Sequence, residues 1–221
     1  PAPTTHPLVT VVNHPVLAHA LAIIRQRETD PAAFRDAARQ IAIGLLLEAT
    51  RDLPTVEVPV QTPLMATTGR RLAGRLGVVP ILRAGLGFME PVLTLLPGAE
   101  IWHLGIFRDE ESLQPVTYYN KLDRAAPPDT VIVVDPMLAT GGSASATLTV
   151  VKRWGQGSGQ HATRIKYACI IAAPEGIARL QADHPEVPIY TAAVDQRLNE
   201  VGYILPGLGD AGDRLFNTLY D

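Results

Sequence analysis

Asp135 stands directly after four apolar residues, Val131 to Val134. After it come Pro136, Met137 and Leu138, then a segment almost bare of side chains: Ala139, Thr140, Gly141, Gly142, Ser143. A strand ending at an acid, followed by a small-residue loop and a helical segment, offers an anion successive backbone N–H groups and the positive end of a helix dipole. Gly141 and Gly142 permit the close backbone approach a phosphate needs, while Thr140 and Ser143 add hydroxyl donors. The loop is not a Walker A sequence, which needs a lysine after its glycines, nor a GxGxxG dinucleotide fingerprint. Taken alone, Thr-Gly-Gly-Ser reads equally well as an ordinary capped turn. The acid tips the balance, because a carboxylate beside an anion site binds hydroxyls or a metal.

Two arginines add to this chemistry. Arg83 closes the apolar run Gly77 to Leu82, and Arg108 closes Ala99 to Phe107. Each alone reads as a surface ion pair, but two planar guanidinium forks at consecutive strand ends suit phosphate oxygens. Near the C-terminus, Tyr203 to Asp213 carries Gly207, Gly209 and Gly212 among few long polar side chains, so its backbone can approach a planar ligand. Asp109, Glu110 and Glu111 form a charge run that reads first as wet surface, and the six histidines lack metal-ligand spacing. Cys169, in Lys-Tyr-Ala-Cys-Ile-Ile, reads as an interior residue rather than a reactive thiol.

These residues need elements to position them. From Gly77 onward, short apolar strands alternate with helical segments: 77–83, 84–96, 99–108, then a polar loop, 129–135, 141–154, 164–173, 174–184 and 188–194. The alternation predicts an α/β protein with a mostly parallel central sheet and helices on both faces. Ligands of such sheets bind at the carboxyl ends of the strands, where Arg83, Arg108 and Asp135 all fall. Before this core, a helix is expected over about His14 to Arg27. A second begins at Asp30 (N-cap) and Pro31, with Phe34, Ala38, Ile41 and Leu45 as its apolar stripe. Thr55 to Pro63 alternates like a strand yet holds two prolines, which suits an edge ribbon or arm.

The strand, acid and Ala-Thr-Gly-Gly-Ser pattern resembles the phosphoribosyl-pyrophosphate (PRPP) motif of type I phosphoribosyltransferases. With Pro136 after the acid it is similar to the uracil phosphoribosyltransferase family in particular. His14 to Leu21, Glu48 to Leu53, Pro80 to Gly87, Phe107 to Leu122, Ala172 to Ile177 and Gly202 to Arg214 carry the same resemblance, in order, along nearly the whole chain. It implies one phosphoribosyltransferase domain over 1–221, with N-terminal helices and arm (1–76), α/β core (77–200) and a base-binding hood segment (201–221). It also implies conversion of uracil and PRPP to UMP and diphosphate with Mg2+ in pyrimidine salvage, with GTP as allosteric activator and a homodimer or higher homo-oligomer.

By the same resemblance, Ala139 to Ser143 would hold the 5′-phosphate and Asp135 the ribose hydroxyls. Arg83 and Arg108 would bind the pyrophosphate, with Pro136, Met137, Leu138 and Asp210 also at PRPP and Lys121 a third cation on a closing loop. Ile204, Gly209, Asp210 and Ala211 would meet uracil. Asp135, Arg108 and Asp210 are the expected catalytic residues, with Asp210 assisting N1 deprotonation or ordering a metal-bound water. Two other readings share this fold: a transferase for another base, and a pyrimidine-sensing RNA-binding regulator. The chain departs from the family pattern at Leu47, Pro91, Asp123 and Asn217, all outside the binding segments.

Composition narrows the field. The 221 residues are 47% hydrophobic and 19% charged, which builds a globular core and excludes a disordered or fibrous chain. A net charge of −3 without a dense basic cluster argues against nucleic-acid binding. No apolar run reaches membrane-spanning length and no signal-peptide pattern opens the sequence, so a cytoplasmic protein is expected.

Overall fold

The computed structural model describes residues 8–108, 115–122, 125–156 and 163–218. In chain order these form β1 (Val9–Val11), α1 (Pro15–Arg25), α2 (Pro31–Ala49) and a hairpin of β2 (Thr55–Gln61) and β3 (Ala66–Leu72). Then come β4 (Leu76–Leu82), a 3-10 turn (Ala84–Phe88), α3 (Met89–Leu95), β5 (Glu100–Ile101), β6 (Leu104–Arg108) and β7 (Pro115–Asn120). The remainder is β8 (Thr130–Val134), β9 (Met137–Leu138), α4 (Gly142–Gln156), β10 (Arg164–Ala172), α5 (Pro174–Asp183), β11 (Ile189–Val194), β12 (Arg197–Leu198), β13 (Ile204–Leu205) and α6 (Ala211–Phe216).

The central sheet runs β1-β11-β10-β8-β4-β6-β7, parallel throughout except that β7 lies antiparallel on β6. Every residue of β8 is buried, as a middle strand covered on both faces requires. Val78, Ile132, Val134, Ala168 and Ile170 face a layer made by α1, α2, α3 and α6. Val79, Val131, Val133, Tyr167 and Cys169 face α4 and α5. Numbered by sequence, the five parallel core strands lie in the order 2-1-3-4-5, and the winding reverses between β4 and β8. A crevice opens at the carboxyl ends of two strands that diverge in this way.

Helix starts follow the expected chemistry. Asp30 accepts from Ala32 N at 2.8 Å and Ala33 N at 2.9 Å, with Pro31 at the first helical position of α2. His14 caps α1 through Nδ1, so that helix begins at Pro15 and ends at Arg25 rather than at 27. The ribbon at Thr55 is an arm, β2 pairing only with β3.

Four local expectations need correction. Ala99 to Arg108 is two strands rather than one; between them Trp102 N still donates to Val78 O of β4 at 2.9 Å, and its ring meets that of Trp154 edge-on at 5.3 Å. The segment expected as a single helix from Ala84 starts as a 3-10 turn. Pro91 falls in the first turn of α3, where a missing N–H costs no helical bond. Residues 115–120, read as part of a polar loop, add the antiparallel edge strand β7. Val9–Val11, left unassigned by the sequence pattern, pairs with β11 at the opposite edge. Asp109, Glu110, Glu111 and Asp123 lie outside the described residues, as does 157–162 of the linker after α4. Among the described residues no helix is long and apolar enough to cross a membrane.

Candidate active site

Asp135 follows β8 immediately, its N–H donating to Ala168 O at 3.1 Å on the neighbouring strand β10. The side chain is half-buried, and burial pushes its carboxyl up to about 8 against one opposing hydrogen bond from the Met137 backbone. Such an acid exists in both protonation states near neutral pH and can exchange hydrogen bonds with hydroxyl groups.

The nine residues 135–143 are not one free loop. Pro136 O accepts from Ile170 N at 2.9 Å, and Met137 and Leu138 form β9 against Ile171 and Ala172. Pro136 and Leu138 are buried, so their side chains pack into the fold while β9 anchors the start of the loop. The open part begins at Ala139. Thr140 is exposed, with Oγ1 3.4 Å from Gly142 N. Gly141 sits at φ +75°, a conformation that turns the chain into α4, and its carbonyl accepts from Ser145 N at 2.8 Å. The first N–H groups of α4, at Gly142 and Ser143, therefore open toward the crevice side of the sheet.

A further cation stands over this loop. Arg179 of α5 brings Nη1 to 4.0 Å from where a Cβ on Gly142 would lie. Its Nε is 3.5 Å from Asp183, whose carboxyl is held below its ordinary range chiefly by the Ser145 hydroxyl, which donates at 2.6 Å. Nothing in sequence spacing marked Arg179, since helix α5 reaches the loop only through the β10 crossover.

Arg83 follows β4, the strand beside β8, and is two-thirds exposed, its Nη2 a loose 3.8 Å from Asp213 Oδ1. The peptides Leu82–Arg83 and Leu205–Pro206 are both cis. Arg108 ends β6, one strand further from β8. Lys121 directly follows β7, exposed, 5.4 Å from the Tyr119 ring.

The C-terminal segment borders the same crevice. A Cβ on Gly202 would lie 3.5 Å from Thr140 Cγ2, and one on Gly212 would lie 3.7 Å from Ala84 Cβ, next to Arg83. Ile204 and Ala211 are buried while Gly209 and Asp210 are exposed between them. Asp210 Oδ1 caps α6, accepting from Asp213 N at 2.9 Å. The segment is tied down by Arg25, Asp195 and Arg214, none of which the sequence pattern singled out. Arg214 is buried against the Phe34 ring at 4.4 Å and donates to Ile24 O, Leu208 O and Gln26 O, so burial lowers its pKa without leaving its donors unmet.

The cysteine and histidines stay outside this chemistry. Cys169 is fully buried, which pushes its thiol up to about 12, as an interior residue should be. His184 is buried at the C-cap of α5, with Nε2 facing Ser145 O at 2.9 Å.

With two anion-suited strand ends opening on one crevice and the 204–211 backbone beside it, the chain has the type I phosphoribosyltransferase fold. The family model described as uracil phosphoribosyltransferase matches residues 11–218. A uracil phosphoribosyltransferase of Roseiflexus sp. (strain RS-1) is 53% identical over 95% of this chain and 98% of its own length. That of Streptococcus pneumoniae (strain ATCC BAA-255 / R6) is 49% identical over 95% and 98%. Among solved structures, the AQ2163 protein from Aquifex aeolicus superposes with a TM-score of 0.85 at 36% identity, covering 94% of this chain and 97% of that one. The chain belongs to the uracil phosphoribosyltransferase family.

Proposed function

We propose that this protein transfers the phosphoribosyl group of PRPP to uracil, forming UMP and diphosphate in cytoplasmic pyrimidine salvage. The observation that carries the reading is the approach of three separate chain segments at the switch between β4 and β8: the Gly-Gly loop after Asp135, Arg83 at the end of β4, and the C-terminal segment 202–213, which meets Thr140 at Gly202 and Ala84 and Arg83 at Gly212 and Asp213.

In this reading the backbone of 139–143 and the hydroxyls of Thr140 and Ser143 hold the 5′-phosphate. Asp135 receives the ribose hydroxyls, and Arg83 with Arg108 carries charge released to the pyrophosphate. The bond from uracil N1 to the ribose C1 forms as the C1–oxygen bond to pyrophosphate breaks, with the N1 proton passing to solvent or to Asp210. Catalysis is then mainly orientation and charge stabilisation. The 204–211 backbone reads the O2, N3–H and O4 edge of uracil. Cytosine would set a donor against a donor there, a mismatch that hydrogen-bonding sites reject by about 10^4-fold or more.

Magnesium fits as an ion carried in by the substrate. The described residues hold no cluster of three His, Cys, Asp or Glu, and Mg2+ that keeps its waters on phosphates requires only one or two carboxylates. Asp135 and Asp210 are the described carboxylates of the site that would serve it, and the ion would neutralise charge on the pyrophosphate. A homodimer or larger homo-oligomer completes the reading, supported by the β2–β3 arm, whose Val56, Leu64, Met65 and Leu72 are all more than half-exposed or nearly so.

Purified protein incubated with PRPP, Mg2+ and, separately, uracil, cytosine, hypoxanthine or orotate should make a nucleotide from uracil alone. Turnover only with another base overturns the assignment. The same assay with and without GTP tests activation, a higher rate with GTP being the expected result.

A further inference from the structure

Gly207 lies in the middle of the segment that reads the base, and both of its backbone polar groups are held by one ion pair. Arg25 Nη1 donates to Gly207 O at 2.9 Å and to Asp195 Oδ2 at 2.8 Å, while Nη2 donates to Asp195 Oδ1 at 2.5 Å. The same Asp195 Oδ2 accepts from Gly207 N at 2.9 Å. Arg25, Asp195 and Gly207 are thus joined by four hydrogen bonds that hold the N–H and C=O on either side of one residue.

Each of the three is anchored. Asp195 is only 8% exposed and follows β11, its own N–H donating to Ala172 O at 2.8 Å at the end of β10. Arg25 is the last residue of α1, where a cation complements the helix dipole. The neighbouring carbonyls Ile24 O and Gln26 O accept from Arg214, which also holds Leu208 O at 2.8 Å. One helix end therefore references two consecutive residues of the segment to the central sheet. Gly207 itself turns tightly, at φ +65° with Ile204 O only 2.1 Å from the place a Cβ would take, so a rotation here displaces Ile204 on one side and Gly209 on the other.

We propose that the Arg25–Asp195 pair is a positioning device for base recognition, setting where the 204–211 backbone presents its donors and acceptors. A bidentate guanidinium–carboxylate pair suits this because its geometry is directional as well as strong. The pair touches the base-reading backbone and, among its hydrogen bonds, nothing of the 139–143 phosphate loop. Its loss accordingly acts on one substrate of the two. The inference rests on the proposed reading of that segment as the uracil site.

Steady-state kinetics of Arg25→Gln, Arg25→Lys and Asp195→Asn test it, with KM measured for uracil and for PRPP. Displacements of the order of 1 Å at a site cost up to about 100-fold, so uracil KM should rise by roughly ten- to a hundredfold in Arg25→Gln and Asp195→Asn. PRPP KM should stay within about twofold, because the phosphate loop is held by other bonds, and the double variant should be little worse than either single one, as members of one network are. Arg25→Lys, which keeps the charge, should recover part of the loss. Unchanged uracil KM in Arg25→Gln and Asp195→Asn overturns the proposal, as does a parallel rise in both KM values, the mark of general loosening. Absence of UMP from the wild type overturns the functional reading and this inference together. UMP formation with unaltered variants overturns the inference alone.

Discussion

In the proposed reading, Asp135 couples substrate binding to pH. Burial raises its carboxyl to about 8, above the ordinary carboxylate value, so the free enzyme holds it largely protonated below that pH. The stability linked to this group is fully present below about pH 4 and is lost as pH rises through about 8, where a buried negative charge appears. Asp135→Asn removes the charge and keeps the shape, so its melting temperature should gain on that of the wild type as pH rises from about 4 to about 8, with no further gain above that. In the proposed reading the ribose hydroxyls bind Asp135 and favour its ionised form as acceptor, so KM for PRPP in the wild type should fall as pH rises from 6 to about 8.5. Asp135→Asn should show a PRPP KM raised by about tenfold or more, the size of a lost charged hydrogen bond, without that trend. A pH profile identical in the two proteins would remove Asp135 from the site. Asn217 is a quieter case: it takes the left-handed position at the C-cap of α6, at φ +55°, a place that asparagine tolerates and glycine usually fills.

At the scale of elements, the β8–β9–α4 unit sets where the N-terminal N–H groups of α4 lie. β9 pins Met137 and Leu138 to β10, and only the stretch from Ala139 to Ser143 is left to meet a ligand. Gly141 is the critical residue of that stretch. A Cβ there would stand 3.0 Å from Gly176 O and 3.2 Å from Arg179 Cβ, in a backbone conformation costing other residues roughly 1–2 kcal/mol. Gly141→Ala should lower stability by about that amount in a denaturant titration and raise the PRPP KM while leaving the uracil KM near the wild-type value. Equal effects on both substrates would show that the loop does not hold the phosphate. The strand, the acid and the start of α4 were legible in the sequence because apolar runs and cap residues act locally. The two-residue strand β9 was not, since its pairing depends on where β10 happens to lie.

The whole molecule leaves its arm uncovered. Among the described residues β2 and β3 pair with each other and with no other strand, and Leu64 at their tip is 94% exposed. An isolated hairpin is marginal in water, and the exposed Val56, Val60, Leu64, Met65 and Leu72 of this one would gain by packing on another copy of the chain. Light scattering on the purified protein should return the mass of two or more chains, and Leu64→Lys with Met65→Lys should shift it toward one. A monomeric wild type would sink the oligomer reading.

The sequence by itself determined the parts: an acid at the mouth of a buried strand, a cradle of glycines, arginines at strand ends, and a glycine-rich segment suited to a flat ligand. Each depends on residues within a few positions of one another, where propensity and backbone sterics decide. Only the tertiary structure decided which parts meet. The strand order set the strand that Arg83 follows beside the one that Asp135 follows, the turn of α5 laid Arg179 over Gly142, and Arg25 reached Gly207 across 182 residues. Those contacts follow from how crossovers route the chain over the sheet, and no local pattern encodes them.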